Sequence, residues 1–271
     1  MSSILSISPQ NLSRLVGTPK APLILDVRTD EDFAADPRLI PGSLRRNAAL
    51  AESAREFVNR PLAVVCHKGA KISQGFAAYL RNEGASAEVV DGGFVAWRDA
   101  GLPLLSTKHF PKRDDRNRTL WVTRERPKVD RIACPWLIKR FIDPHAVILF
   151  VQPSEVIAVG ERYGAAPFDV ENVFFGHRGE LCTFDVMLEE FGLRTEPLKR
   201  LAEIVRGADT GRLDLAPQAA GLLAASLGLS RMYSDDLEQL EAGMLLYDAF
   251  YRWCRDATEE THNWPSHKGK N

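Results

Sequence analysis

The chain has 271 residues, of which 45% are hydrophobic, 26% charged and 8% aromatic, with a formal net charge of -1. That length accommodates one large domain or two ordinary ones, and the composition is that of a globular protein. The balanced charge argues against a nucleic-acid partner, and the apolar runs are strand-sized, short of the roughly 18 residues that span a bilayer.

The first residues, Met1-Ser2-Ser3-Ile4-Leu5-Ser6, show no basic cluster followed by an apolar stretch. No secretion signal is read, so the expected compartment is the reducing cytoplasm. The four cysteines, Cys66, Cys134, Cys182 and Cys254, are widely spaced and form no CxxC pair. No disulfide is expected, and each is either an inert core residue or a reactive or liganding thiol.

Residues 1–105 alternate strands with helices. Apolar runs at 23–27, 63–65 and 87–90 predict buried strands. Residues 73–82 carry Phe76, Ala77 and Leu80 at helical spacing. This alternation predicts a parallel sheet covered by helices on both faces. Residues 106–118, Ser-Thr-Lys-His-Phe-Pro-Lys-Arg-Asp-Asp-Arg-Asn-Arg, are charged and almost free of aliphatics. That composition reads as an interdomain linker. In residues 119–256, strands are predicted at 119–123 and 147–151. A short helix is expected at 134–142, with Pro135 in its first turn. From Thr183 the chain reads as helical, and Ser234-Asp235-Asp236 signals the cap of the last helix. The expected fold is α+β with a helical majority. Residues 257–271 read as a tail, and His262 and His267 within it are not taken as ligands.

The sharpest chemical signal is Val64-Val65-Cys66-His67-Lys68-Gly69-Ala70-Lys71-Ile72-Ser73. A buried strand ends at a cysteine, a short loop follows and a helix begins. The backbone N–H groups of His67, Lys68, Gly69, Ala70 and Lys71 would then face the sulfur. Lys68, Lys71 and the helix dipole would favour a thiolate or persulfide. An inert cysteine at a strand end is the alternative.

Three ordered motifs decide between them. Leu25-Asp26-Val27-Arg28 with Ile40-Pro41-Gly42-Ser43, the cysteine loop, and Val89-Val90-Asp91-Gly92-Gly93-Phe94-Val95-Ala96-Trp97 with Gly101-Leu102-Pro103 together resemble the rhodanese-homology domain. The resemblance implies a parallel α/β domain and ping-pong sulfur transfer. Cys66 would take sulfur from a donor such as thiosulfate and pass it to a thiol or a cyanide-like acceptor, with no cofactor. Cys66 to Lys71 matches the six-residue sulfurtransferase loop, one residue shorter than that of the related phosphatases. Lys71 stands where the family often has Arg, which keeps the charge and loses bidentate grip. A short insertion surrounds Asp36-Pro37. Asp26 and Arg28 read as braces of the loop region, without a chemical role.

The second domain offers two polar clusters. Arg124, Lys128 and Arg131 precede Cys134-Pro135, where a helix start would suit an oxyanion. His177, Glu180, Cys182 and Asp185 lie within nine residues. They carry metal-ligand chemistry without a standard spacing, and Thr183 is the alternative cap of the next helix. Asp130-Arg131-Ile132-Ala133-Cys134-Pro135-Trp136, Pro167-Phe168-Asp169, His177 to Asp185, Arg206-Gly207-Ala208-Asp209-Thr210 and Tyr247-Asp248-Ala249 resemble the C-terminal domain of ChrB-type chromate-resistance proteins.

The reading is therefore a two-domain sulfurtransferase linked to chromate or oxidative stress. Its rival is a non-enzymatic oxyanion or redox sensor or regulator. The second-domain patch for an oxyanion such as chromate, or for a metal of unspecified identity, is Arg124, Lys128, Arg131, Cys134, His177, Cys182 and Asp185. Expected partners are a small sulfur donor and a thiol acceptor, with no membrane or nucleic acid.

Overall fold

The computed structural model describes residues 5–46 and 60–260. Its N-terminal half holds β1 (Ser6–Ile7), α1 (Pro9–Leu15), β2 (Leu23–Asp26), α2 (Asp30–Ala35), β3 (Ser43–Arg45), β4 (Leu62–Val65), α3 (Lys71–Asn82), β5 (Ala87–Val90) and α4 (Gly93–Asp99). All five strands are parallel, in the order β1-β5-β4-β2-β3. Every residue of β2 and β4 is buried, as continuous apolar runs in a sheet covered on both sides require. Ser8 caps α1 and Thr29 caps α2 through side-chain oxygens. No side chain caps α3, which begins two residues before the predicted Ser73. Its first-turn N–H groups thus remain available to another acceptor.

The second half has a smaller parallel sheet, ordered β7-β6-β8, built from β6 (Leu120–Arg124), β7 (Val147–Val151) and β8 (Ala166–Pro167). The helices are α5 (Asp130–Leu137), α6 (Val156–Tyr163), α7 (Thr183–Glu190), α8 (Glu196–Asp209), α9 (Ala219–Met232) and α10 (Asp236–Asp256). Helix α6 closes one face over Val122, Val156 and Ala165. Trp121 projects to the other face, into the core shared with α5 and α7. Strand β8 has only two residues and carries no readable period.

Three expectations are corrected here. The helix expected at 134–142 starts at Asp130, so Pro135 lies inside it and not in its first turn. A proline there leaves the carbonyl four residues earlier without its N–H donor, and the helix relaxes into a π-helical turn at Ile138–Ile142. The segment at 106–118 is not a free linker. Ser106 donates to the Phe191 carbonyl at 2.9 Å, Thr107 to the Pro37 carbonyl at 2.8 Å, and Arg113 to buried Asp143 at 2.9 Å. Its order comes from polar bonds, which composition alone does not reveal. The capping role offered to Thr183 falls to Cys182, the residue before it.

The two halves share one apolar core. Leu12, Ile24 and Trp97 of the first join Trp136, Phe141 and Tyr251 of the second. Phe141 presses against Gly17, and its carbonyl accepts from the Gly42 N–H at 2.6 Å. Among the described residues no helix is long and apolar enough to cross a membrane. Residues 261–271, with His262 and His267, lie outside the described residues.

Gly17 has φ +77°, and a Cβ there would sit 2.2 Å from Phe141 Cζ. Gly17→Ala is expected to lower stability by about 1–3 kcal/mol in urea unfolding. An unchanged unfolding midpoint would contradict this packing.

Candidate functional site

Strand β4 delivers Cys66 to the carboxyl edge of the first sheet, and α3 starts five residues later. The loop between them is pinned from behind. Phe94 donates to the Cys66 carbonyl at 2.9 Å and Val95 to the His67 carbonyl at 3.0 Å. Gly69 and Gly93 make this approach possible, since a Cβ on Gly93 would lie 2.3 Å from the Cys66 carbonyl oxygen and 2.4 Å from the Gly69 nitrogen. Both have φ near +65°.

Cys66 is only 5% exposed, and its sulfur lies 3.1 Å from Ser73 Oγ, whose one proton can go to the sulfur or to the Ala70 carbonyl, also 3.1 Å away. Burial pushes the thiol pKa up. The Ser73 hydroxyl and the backbone amides of Ser73, Ala70 and Lys68 outweigh burial and hold it below the ordinary thiol value. Of the five N–H groups named from the sequence, those of Lys68 and Ala70 therefore act on the sulfur. Ser73, read only as a helix start, adds both its hydroxyl and its amide. The Lys68 and Lys71 side chains are exposed, and His67 Nδ1 lies 3.8 Å from Asp32.

Asp26 and Arg28 form a buried pair at 2.6 Å. Arg28 also donates to the carbonyls of Asp36 (2.9 Å) and Arg38 (2.7 Å) and stacks 3.7 Å over the Phe94 ring. It thus ties the Asp36-Pro37 insertion to the helix that backs the cysteine loop.

The sequence patch in the second domain divides into three groups. Cys182 and Asp185 form one: the carboxylate accepts from the Cys182 N–H and thiol, both at 3.2 Å, and pairs with Arg206 at 2.8 Å. Lys128 is exposed, and its carbonyl accepts from the Arg131 N–H at 2.9 Å. The third group gathers around residues that the patch omitted. His177 Nε2 lies 3.6 Å from Asp130, 3.4 Å from Asp169 and 3.2 Å from Asp209. Arg124 and Arg131 each reach Asp169 at 3.3 Å. Asp130 thus opens α5 with its carboxylate turned to the first turn of α7, and Arg124 and Arg131 meet at Asp169.

Asp130 is fully buried. It accepts from the Thr183 N–H at 2.6 Å and the Phe184 N–H at 3.1 Å, at the first turn of α7, and Cys134 Sγ lies 3.7 Å away. Burial pushes the Asp130 carboxyl up, and hydrogen bonds to Asp130, Asp169 and Asp209 push His177 up. Burial, with Asp130 adding to it, raises Cys134 and Cys182 well above an ordinary thiol, so both stay protonated. Val129 (φ 32°) and Asp169 (φ 51°) are left-handed non-glycine residues at this cluster. The three missed acids come from three separate places in the chain, the start of α5, the loop after β8 and the end of α8, and as single letters they resemble solvated surface charge.

Comparison with known proteins follows this division. The rhodanese-like domain model matches residues 8–100, and the ChrB C-terminal domain model matches residues 121–254. Protein ChrB of Cupriavidus metallidurans is 34% identical over 176 residues, covering 58% of this chain and 51% of that relative, so the chain spans about half its length. Thiosulfate sulfurtransferase GlpE of Vibrio cholerae is 30% identical over 95 residues, 35% of this chain and 89% of that relative. A solved rhodanese-like domain protein from Staphylococcus aureus is 31% identical, with 37% of this chain and 97% of that one covered at a TM-score of 0.33.

The thiolate fraction rises with pH through the thiol pKa, so a lowered pKa brings full reactivity at lower pH. Iodoacetamide labelling of Cys66 should therefore plateau below the pH of an ordinary thiol. Ser73→Ala should move the curve upward and cut thiolate at neutral pH about tenfold, the loss of one charge-assisted hydrogen bond. Coincident curves for the two proteins would contradict the assignment.

Proposed function

From a chain that belongs to the rhodanese-like family through residues 8–100 and carries a ChrB C-terminal domain over 121–254, we propose a sulfurtransferase whose sulfur carrier is Cys66 and whose role is linked to chromate resistance. The observation that supports it most is the Cys66 sulfur seated among one hydroxyl and three backbone amides, with its pKa lowered. In the first half-reaction the Cys66 thiolate attacks the outer sulfur of a donor such as thiosulfate. A new S–S bond forms, the donor S–S bond breaks, and sulfite leaves with the electron pair. In the second, a thiolate or cyanide attacks the terminal sulfur, the persulfide bond breaks, and Cys66 regains its thiolate. The amides of Lys68 and Ala70 hold the anion in both states, and Lys68 and Lys71 draw the anionic donor toward the loop.

An alternative is a thiol sensor that oxidises without turning over. It draws on Lys71, which keeps the charge of the arginine often found there and gives up bidentate contact with an oxyanion. Turnover separates the two readings. With thiosulfate and cyanide, the wild type is expected to release thiocyanate catalytically and Cys66→Ser to release none. Lys71→Ala should lower kcat/KM several-fold while leaving the reaction of the loaded enzyme with cyanide largely intact. A single oxidation event without thiocyanate, using several sulfane donors, would favour the sensor.

A further inference from the structure

We propose that the second domain holds a divalent metal ion on Asp130, Asp169, His177 and Asp209. The oxygen and nitrogen donors of Asp130, His177 and Asp209 lie within 4.8 Å of one another. Asp169 adds an oxygen 3.4 Å from His177 Nε2. One ion bonded at about 2.0–2.2 Å to each donor fits that spread after small side-chain adjustments. Three carboxylates and one imidazole suit an ion of the Mn2+, Fe2+ or Zn2+ class.

Three observations separate this cluster from ordinary surface acids. The first is its place in the fold. Strand β6 lies between β7 and β8, the chain leaves it for β7 by way of α5 on one face, and it returns to β8 by way of α6 on the other. The carboxyl end of β6 is therefore a switch point, the crevice in which open parallel sheets bind ligands. Arg124 ends β6, Asp130 opens α5, and Asp169 follows β8 at this edge.

The second is Thr123. It is fully buried, lies on the same face of β6 as Trp121 and next to the β8 end that carries Asp169, and its hydroxyl has no partner among the described residues. A buried hydroxyl left open at the strand end next to Asp169 suits a ligand or its bound water.

The third is access. An open cavity of about 570 Å³ is lined by Arg124, Asp169, Glu171, Asn172 and His177, so an ion can enter from solvent. Among the described residues, fully buried Asp130 bonds to no Lys or Arg side chain and is met by His177, two helix amides and the Cys134 thiol. Metal binding exchanges the proton on His177 for the ion and releases it to solvent. Arg124 and Arg131 compensate Asp169 and complete the charge balance.

The test uses metal-stripped full-length protein and equilibrium dialysis against Mn2+ or Zn2+. One ion per chain is expected in the wild type and in Cys66→Ser, with affinity at least tenfold lower in Asp209→Asn and His177→Gln. Thermal unfolding should show an ion-dependent rise in Tm for the wild type that both cluster variants lose. For bound Mn2+, a nitrogen coupling in the electron spin echo spectrum reports the imidazole without any substitution. No stoichiometric ion, unchanged affinity in folded variants, or a shell of oxygen alone would overturn the proposal. Each outcome leaves the sulfur chemistry of Cys66 untouched, so the two readings stand or fall separately.

Discussion

In each half of the chain a buried acidic side chain rests against donors at the first turn of a helix, at the carboxyl edge of a parallel sheet. In the first half it is the Cys66 thiol, whose pKa is lowered by the Ser73 hydroxyl and by backbone groups leading into α3. In the second it is the Asp130 carboxylate, held by the Thr183 and Phe184 amides at the start of α7. Both depend on the same constraint: a charge leaves water only where donors already point at it. The local architecture follows from supplying those donors. Helix α3 has no side-chain cap, so its amides can turn to the sulfur. Gly69 and Gly93 let the backbone close behind it.

The same constraint sorts the four cysteines. Cys134 and Cys182 are buried beside carboxylates, and their thiols are held neutral. Burial pushes Cys254 up to about 11. Cys66 differs by its neighbours, since the Ser73 hydroxyl and three backbone amides are what chiefly lower its pKa. A cysteine count says nothing of this, because reactivity is set by field and donors.

Much of the first domain was legible in the sequence. Strands at 23–27, 63–65 and 87–90 are apolar runs, and a parallel sheet buried on both faces requires such runs. The cysteine loop was legible because a strand end, a glycine and a helix start follow one another without a gap. Ser73 was hidden, since its contribution depends on a side chain returning over one helical turn. The second domain was less legible for two physical reasons. Pro135 signalled a helix start and instead sits inside α5, where a π-helical turn absorbs the lost hydrogen bond. The carboxylates around His177 are supplied by chain positions 130, 169 and 209, and no local period links residues so far apart. The patch that sequence proximity assembled, His177 with Cys182 and Asp185, is split by α7, which turns the latter two toward Arg206. The polar segment at 106–118 looked unable to order itself, and partners such as Asp143 and the Phe191 carbonyl order it.

The central claim is that environment assigns sulfur chemistry to one cysteine among four. The most direct measurement is peptide mapping after a single exposure to excess thiosulfate or another sulfane donor, with each cysteine scored for the persulfide increment of about 32 Da. The account predicts the increment on Cys66 alone, with Cys134, Cys182 and Cys254 unmodified in the folded protein. An increment spread over several cysteines, or one placed on Cys182 with Cys66 bare, would contradict it.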